Sequence, residues 1–439
     1  ISEETEEYIR YKYDHPEENL PDRFSKPDSS GWTGLYGEDW IPLAINVDWF
    51  RETYKKMAPT QNHNLGISGG SDRITYYASL GLYDQAGLYR YGEDYFKRYN
   101  GLFNINAEAT EWLDIELRFR LGREETDRPN VNQGHDAIRF WPLYPIRNPD
   151  GTWSHQAMHL QAADEGGRRN RIKDYFNTTF AFVLKPFKGF NIHGDATFNS
   201  SDNTYTENML ILYELRPDGK IRGTNMHANK SYIEKQYSLN KYYSVNLYAD
   251  YQVQLGGHNL HGLVGYQNEY NNHLGLYGYR DKLISDNILS LSTATGEDFR
   301  TRDSGYEWAT EGYFGRLSYN FEEKYLFEFN ARYDGSSRFP YDKRWGFFPS
   351  AAAGYNIARE AFFESIRPVI NQLKFRVSYG MLGNSNVSNY YVPTMAKYKT
   401  NFVGPGGTYL DYVNMPGLGN YTLTWEKPTT FNVALDAGA

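Results

Sequence analysis

The chain of 439 residues contains no cysteine, which excludes disulfide staples and thiolate metal sites. It also has no run of about 18 apolar residues, the length a helix needs to cross a bilayer, and its mean hydropathy is −0.71. A helical membrane protein is therefore excluded, whereas a barrel is not, because strand alternation averages its hydropathy away. Acidic and basic residues are interspersed and sum to −8, with none of the concentrated basic footprint of a nucleic-acid binder. The first residues, Ile1 to Tyr8, lack the basic region and apolar run of a secretory signal. An envelope protein needs one, so the chain is expected to be a processed or partial piece.

Catalytic patterns are missing too. His155 and His159 are four apart, but Gln156 stands where a zinc-protease motif requires Glu. They read as two unrelated histidines on a surface loop. There is no Gly-x-Ser-x-Gly elbow and no phosphate-binding loop, and Gly69-Gly70 and the glycines from Gly404 to Gly407 read as turns. Glu124 with Glu125, and Glu322 with Glu323, are adjacent, so on a strand they point apart and in a turn they are solvated. No cofactor or metal site is expected, and the chain reads as a non-enzyme.

What the chain has in excess is aromatic residues, with 40 Tyr and 25 Phe, side chains that favour strands and accept lipid and water at once. Their arrangement is clearest from Trp308 to Asp334. Tyr313, Gly315, Leu317, Tyr319 and Phe321 alternate with Phe314, Arg316, Ser318 and Asn320. A second arm sets Tyr325, Phe327, Phe329, Ala331 and Tyr333 against Glu328, Asn330, Arg332 and Asp334. Strand side chains alternate between faces, so each arm has one apolar wall and one wet wall. Each arm is long enough for a tilted strand to cross hydrocarbon, and this combination predicts a transmembrane antiparallel β-barrel, an all-β fold with lipid outside and water inside.

Residues 1–60 do not read as strands. Glu3 to Tyr13 suits an amphipathic helix, and prolines and glycines then break the chain into a loop bearing Trp32, Trp40 and Trp49. From Gln61 onward, about thirteen strands alternate. In one of them Asp114, Glu116, Arg118 and Arg120 lie opposite Ile115, Leu117, Phe119 and Leu121. Four ionised groups on one face must meet water, since a central Arg against lipid costs roughly 2–4 kcal/mol. Short turns near Gly70, Ala109, Lys188, Gly257 and Glu323 alternate with longer connections: Asp84 to Arg98, Gly122 to Ile172, Ser201 to Asn240, Asn271 to Glu307 and Gly383 to Thr424. Short inner turns and long external loops are the rule for outer-membrane barrels. By this reckoning residues 1–60 are an extracellular loop region preceding the first complete strand, and 61–439 a barrel segment. An odd strand count, where bacterial single-chain barrels have even ones, agrees with a partial barrel.

Several blocks resemble the SusC/RagA-type TonB-dependent outer-membrane transporters. They are Gln61 to Gly70, continued by Thr75 to Gly81 and Asp84 to Gly87; Gly312 to Asn320; Arg332 to Phe339; Trp345 to Ser350; Leu373 to Asn384; and Leu423 to Lys427. The resemblance implies a 22-stranded barrel closed by an N-terminal plug, importing oligosaccharides or peptides in the outer membrane of a Gram-negative bacterium. It implies as partners a SusD-like surface lipoprotein acting as a lid, and the TonB complex, which pulls on the plug. The chain departs from the family in lacking the plug and the last strands.

Candidate site residues follow from the barrel. Asp114, Glu116, Arg118, Arg120, Arg316, Glu328, Arg332 and Arg376 are expected on the lumen wall, where they hold the plug, contact solute or simply line the bore. Arg139, Trp141, Tyr144 and Trp153 are expected in an external loop, where an aromatic face stacks on a sugar ring or peptide or packs the loop itself. The alternatives of another class are a secreted β-rich polysaccharide-degrading enzyme and a surface adhesin.

Overall fold

A computed structural model describes all residues except 1–2, 16, 19, 21–22, 26–40, 132–139, 141, 143, 216–220, 225–229, 388–395, 404–408, 415–419 and 439. Its core is one thirteen-stranded sheet in which every strand pairs antiparallel with the next in sequence, and the sheet is not closed. The strands are β1 (Thr60–Gly70), β2 (Ile74–Ala86), β3 (Tyr95–Thr110), β4 (Leu113–Pro129), β5 (Arg168–Phe187), β6 (Phe190–Met209) and β7 (Tyr232–Leu255). They continue with β8 (His258–Asp281), β9 (Phe299–Phe321), β10 (Tyr325–Ser336), β11 (Trp345–Asn356), β12 (Gln372–Met381) and β13 (Thr429–Gly438). Among the described residues no helix is long and apolar enough to cross a membrane.

The register makes the two walls continuous across the sheet. Tyr313 faces Tyr333, Leu317 faces Phe329 and Tyr319 faces Phe327, while Val264 faces Gly315 on one side and Ala249 on the other. These apolar side chains pack on no second sheet: Val264 is 67% exposed, and Leu317 and Phe327 are each 53% exposed. Contiguous apolar surface on this scale needs a nonaqueous partner.

The band has a defined height. On β4 the apolar wall runs from Leu113 to Leu121 and stops at Arg123, and on β5 it runs from Leu184 to Phe176 and stops at Asp174. Arg123 and Asp174 are register partners and bond through both guanidinium prongs at 2.7 and 2.8 Å. Lys241 on β7 and Glu311 on β9 end their own bands in the same way. Each band is about nine residues, or about 30 Å along a strand. A barrel strand's tilt of about 40° reduces that to a little under 25 Å, the apolar thickness of outer-membrane barrels. Aromatic rings mark both rims. Tyr266 with Tyr313 and Tyr333 with Trp345 lie at one edge, their centroids 5.3 and 4.8 Å apart. Phe187 with Phe190 and Tyr325 with Tyr355 lie at the other, at 5.0 and 5.3 Å.

Two predictions need correcting. Residues 1–60, expected to hold no strands, contain a short antiparallel pair, Arg23–Ser25 with Ile41–Ala44. The connections expected at Ser201 to Asn240 and Asn271 to Glu307 are about half taken up by the flanking strands, since β6 runs on to Met209, β7 starts at Tyr232, β8 runs to Asp281 and β9 starts at Phe299. Beyond the apolar band both faces of a strand meet water, so alternation disappears while the hydrogen-bond ladder continues.

The tight turns have their own chemistry. Between β9 and β10, Glu322 and Glu323 both adopt positive φ, 48° and 57°, and Lys324 N–H donates to the Phe321 carbonyl at 2.8 Å. This is the turn that usually carries Asn-Gly, because its twist matches that of the strands. Asn320 Oδ1 accepts from Glu323 N–H at 2.7 Å and helps hold it.

Candidate functional site

The polar wall begins as a register pattern. Ser318 faces Glu328 across β9 and β10, Glu328 faces Ala352, and Ala352 faces Ser378. On the other flank Arg118 faces Thr179, which faces Thr197, which faces Ser244. All eight charged residues named from the sequence lie on this face.

Most of them are paired. Arg118 Nε donates to Glu116 Oε1 at 2.6 Å, Lys185 Nζ lies 2.6 Å from Asp114 Oδ2, and Arg316 donates to Glu328 Oε2 at 2.6 Å. Arg332 donates to Asp334 Oδ1 at 2.9 Å and to Gln267 Oε1 at 3.0 Å, with its guanidinium 5.3 Å from the Phe314 ring centre. Arg376 binds Asp436 through two prongs at 2.7 and 2.8 Å. Arg120 is exposed and has no carboxylate partner among the described residues, which leaves its donors available. Near the end of the short turns, Arg316, Glu328, Lys374, Arg376 and His261 help line a cavity of about 410 Å³.

A further cluster on this wall went unnoticed in the sequence. Asp250 accepts from Asn191 Nδ2 at 3.3 Å, lies 2.7 Å from His193 Nε2 and 3.5 Å from His261 Nε2. These residues come from β6, β7 and β8, so no local motif announces them. The usable signal was parity, since all four fall on the wet positions of their strands.

The residues expected in an external loop tell a different story. Arg139 and Trp141 lie outside the described residues. Trp153 is 5% exposed, donates through Nε1 to Glu165 Oε1 at 3.0 Å, and is covered by the Arg147 guanidinium at 3.4 Å. It therefore packs the loop and offers no open ring face. Tyr144 is half-buried against the same cluster, edge-on to Phe140 at 6.1 Å. The expected surface placement of His159 is corrected as well, while His155 stays partly exposed. His159 is 1% exposed and stacks on Phe140 at 4.6 Å, because the segment folds into a turn at His155–Ala157 and a helix, α1 (Met158–Glu165), whose inner face is buried.

That helix is part of a small second core. Trp49, Trp153, Ala157 and Leu160 are buried together, with Val47 and Tyr91 packed against them. Three segments that are separate in sequence, around residues 45–54, 87–94 and 144–165, thus share one apolar centre. Just past α1, the Gly167 carbonyl accepts from Asn130 N–H at 3.0 Å, and Asn130 Nδ2 donates to the Asn208 carbonyl at 3.0 Å and the Tyr232 hydroxyl at 3.1 Å, at the ends of β6 and β7. Elsewhere His15, Glu17 and Glu18 gather their ligand-type atoms within 4.8 Å, but they are solvent-facing, and His15 and Tyr11 hydrogen-bond the two carboxylates.

No family model matches the chain. Curated relatives do. TonB-dependent receptor P3 of Formosa agariphila is 27% identical over 440 residues, covering 95% of this chain and 42% of that protein. TonB-dependent receptor SusC of Bacteroides thetaiotaomicron is 26% identical over 436 residues, covering 92% and 42%. The RagAB peptide importer in its open-open state superimposes with a TM-score of 0.73 at 21% identity, covering all of this chain and 46% of that one, a likeness that establishes the fold. The chain thus spans well under half the length of the relatives it matches. Over nearly all of its length the chain is thus similar in sequence to TonB-dependent receptors of the SusC type, and its sheet has the fold of part of the RagAB barrel.

Proposed function

We propose that this chain forms part of the barrel of a TonB-dependent importer in the outer membrane of a Gram-negative bacterium, carrying oligosaccharides or peptides without covalent chemistry. The observation that carries the reading is the continuous apolar band of fixed height, set back to back with a charged, hydrogen-bonded wall. In such a barrel residues 1–60 lie outside the cell, the polar wall faces the bore, and a SusD-like lipoprotein covers the mouth. TonB then acts on a plug held within. Most charges on the wall neutralise one another, which keeps a wide bore wet without making it a strong ion trap. Arg120 is the cation best placed to reach a plug or a solute.

The reading is tested with the whole protein. It is expected to require detergent for extraction, to change gel mobility when boiled in SDS, and to support uptake that stops when TonB is deleted. Extraction without detergent, or uptake indifferent to TonB, overturns it. Arg120→Ala is expected to alter uptake or plug release with the folded barrel unchanged.

A further inference from the structure

The connection from β11 to β12 is unlike the others at its end of the sheet. Where the remaining connections are tight turns, residues 357–371 wind into successive helical turns, with Ile366 N–H donating to the Phe363 carbonyl, Val369 N–H to the Ile366 carbonyl and Ile370 N–H to the Ile366 carbonyl. Phe363 turns inward and is buried. Phe362, Ile366 and Val369, spaced four and three apart and so sharing one side of such a coil, are 67%, 45% and 70% exposed.

The segment is fixed in place at the apolar band's edge. Glu360 Oε1 accepts from the Tyr325 hydroxyl at 2.9 Å and lies 3.3 Å from the Tyr355 hydroxyl, and these two stacked rings belong to the apolar wall's rim. Arg359 pairs with Glu323 at 2.6 Å. Arg367 Nε donates back to the Ala358 carbonyl at 2.9 Å. An apolar side that starts from the aromatic rim and is pinned beside it continues the lipid-facing surface past the end of the strands.

Resting on the membrane reading above, we infer that residues 361–370 lie in the headgroup zone of the inner leaflet, with Phe362, Ile366 and Val369 inserted among the upper acyl carbons of phospholipid. Glu360 holds the coil to the rim, and beside it Lys324 is paired with Glu322 at 2.7 Å, so the seat at the membrane edge rests on the apolar side chains. The occupant of this apolar side is lipid, because the surface it continues is the lipid-facing one. The segment anchors the barrel at this depth in the manner of a short interfacial helix.

The test uses the full-length receptor reconstituted in phosphatidylethanolamine and phosphatidylglycerol vesicles. Single cysteines at Phe362, Ile366 and Val369 carry a spin label, with Phe327→Cys as the lipid-facing reference and Tyr341→Cys as the aqueous one, and collision with oxygen is compared with collision with a water-soluble nickel chelate. The expected result is an oxygen-to-nickel ratio at positions 362, 366 and 369 several-fold above that at 341 and close to that at 327. A ratio like that at 341 places the segment in water and overturns the inference, and poor access to both agents places it against protein and overturns it too. Either result leaves the barrel reading standing if 327 reports lipid, whereas a nickel-accessible 327 overturns the barrel itself.

Discussion

Asn130 and Tyr232 lie 102 positions apart in sequence, yet Asn130 Nδ2 donates to the Tyr232 hydroxyl at 3.1 Å in a site where Asn130 is fully buried. The same amide reaches the Asn208 carbonyl, and Glu207 accepts from the Tyr232 hydroxyl at 2.7 Å. One side chain thus ties the start of the long connection to the ends of two strands beyond the membrane band. Asn130→Leu removes both bonds and leaves the Asn208 carbonyl unsatisfied, which costs about 1–3 kcal/mol. The expected readout is faster amide exchange across 153–166 with unchanged exchange in β4 and β5. Equal exchange in both places, relative to wild type, refutes the fastening role.

The two walls predict opposite tolerance to the same substitution. Leu317 sits in the middle of the apolar band, and Leu317→Arg is expected to cost about 2–4 kcal/mol, the midplane penalty for a barrel. Ala181 lies on the polar wall in register with Glu116 and Asp195, and Ala181→Arg is expected to be nearly neutral. Urea titration of the receptor in vesicles compares them. Similar losses from both variants would mean that the walls are misassigned.

Leu160 is completely buried in the second core. Leu160→Ala is expected to destabilise that core by about 2–5 kcal/mol, as for other core truncations, while the barrel keeps its heat-modifiable mobility. Limited proteolysis reads this as early cleavage between 144 and 165. Persistence of the wild-type cleavage pattern counts against a shared core.

Asp94 gives the neighbourhood of the second core a pH response. Burial raises its carboxyl above the ordinary aspartate value, opposed by a bond from Tyr89 N–H and by Lys55 and Arg168. With a raised folded pKa, the folded form binds more protons than the unfolded one. Its contribution is complete below the ordinary aspartate range and is lost as pH rises through the raised value. Asp94→Asn is therefore expected to flatten this dependence and to slow exchange of the Arg90 and Lys55 amides at neutral pH, two bonds that close the region. Identical pH profiles in the two proteins would disprove it.

The turn at Glu322 and Glu323 holds two non-glycine residues at positive φ. Left-handed backbone costs such residues roughly 1–2 kcal/mol each, so Glu323→Gly is expected to stabilise the β9–β10 hairpin despite losing the exposed pair with Arg359. A lower unfolding midpoint in urea for the variant would show that the turn is not strained.

Within the apolar band the fold was legible because a strand between lipid and water writes its two environments onto alternate residues. Tyr313 to Phe321 and Leu113 to Leu121 carry that pattern with few exceptions, so strand number, facing and order followed from it. Outside the band the pattern lapses, which is why the ladder from Asn271 to Asp281 looked like loop. The charged wall was legible as parity, but its pairing was not. Arg376 could have met several carboxylates, and Asp436 was chosen by a diagonal across two strands 60 positions apart.

The sequence by itself determined a sheet with one oily and one wet wall, since alternation needs only the intrinsic geometry of an extended chain. Tertiary structure alone decided that Trp153 and His159 are packed inside a loop core and that Asp250 meets two histidines. It also decided that Phe362, Ile366 and Val369 stand out beside the aromatic rim. Those outcomes depend on which distant segments are brought together, and chain periodicity carries no record of that.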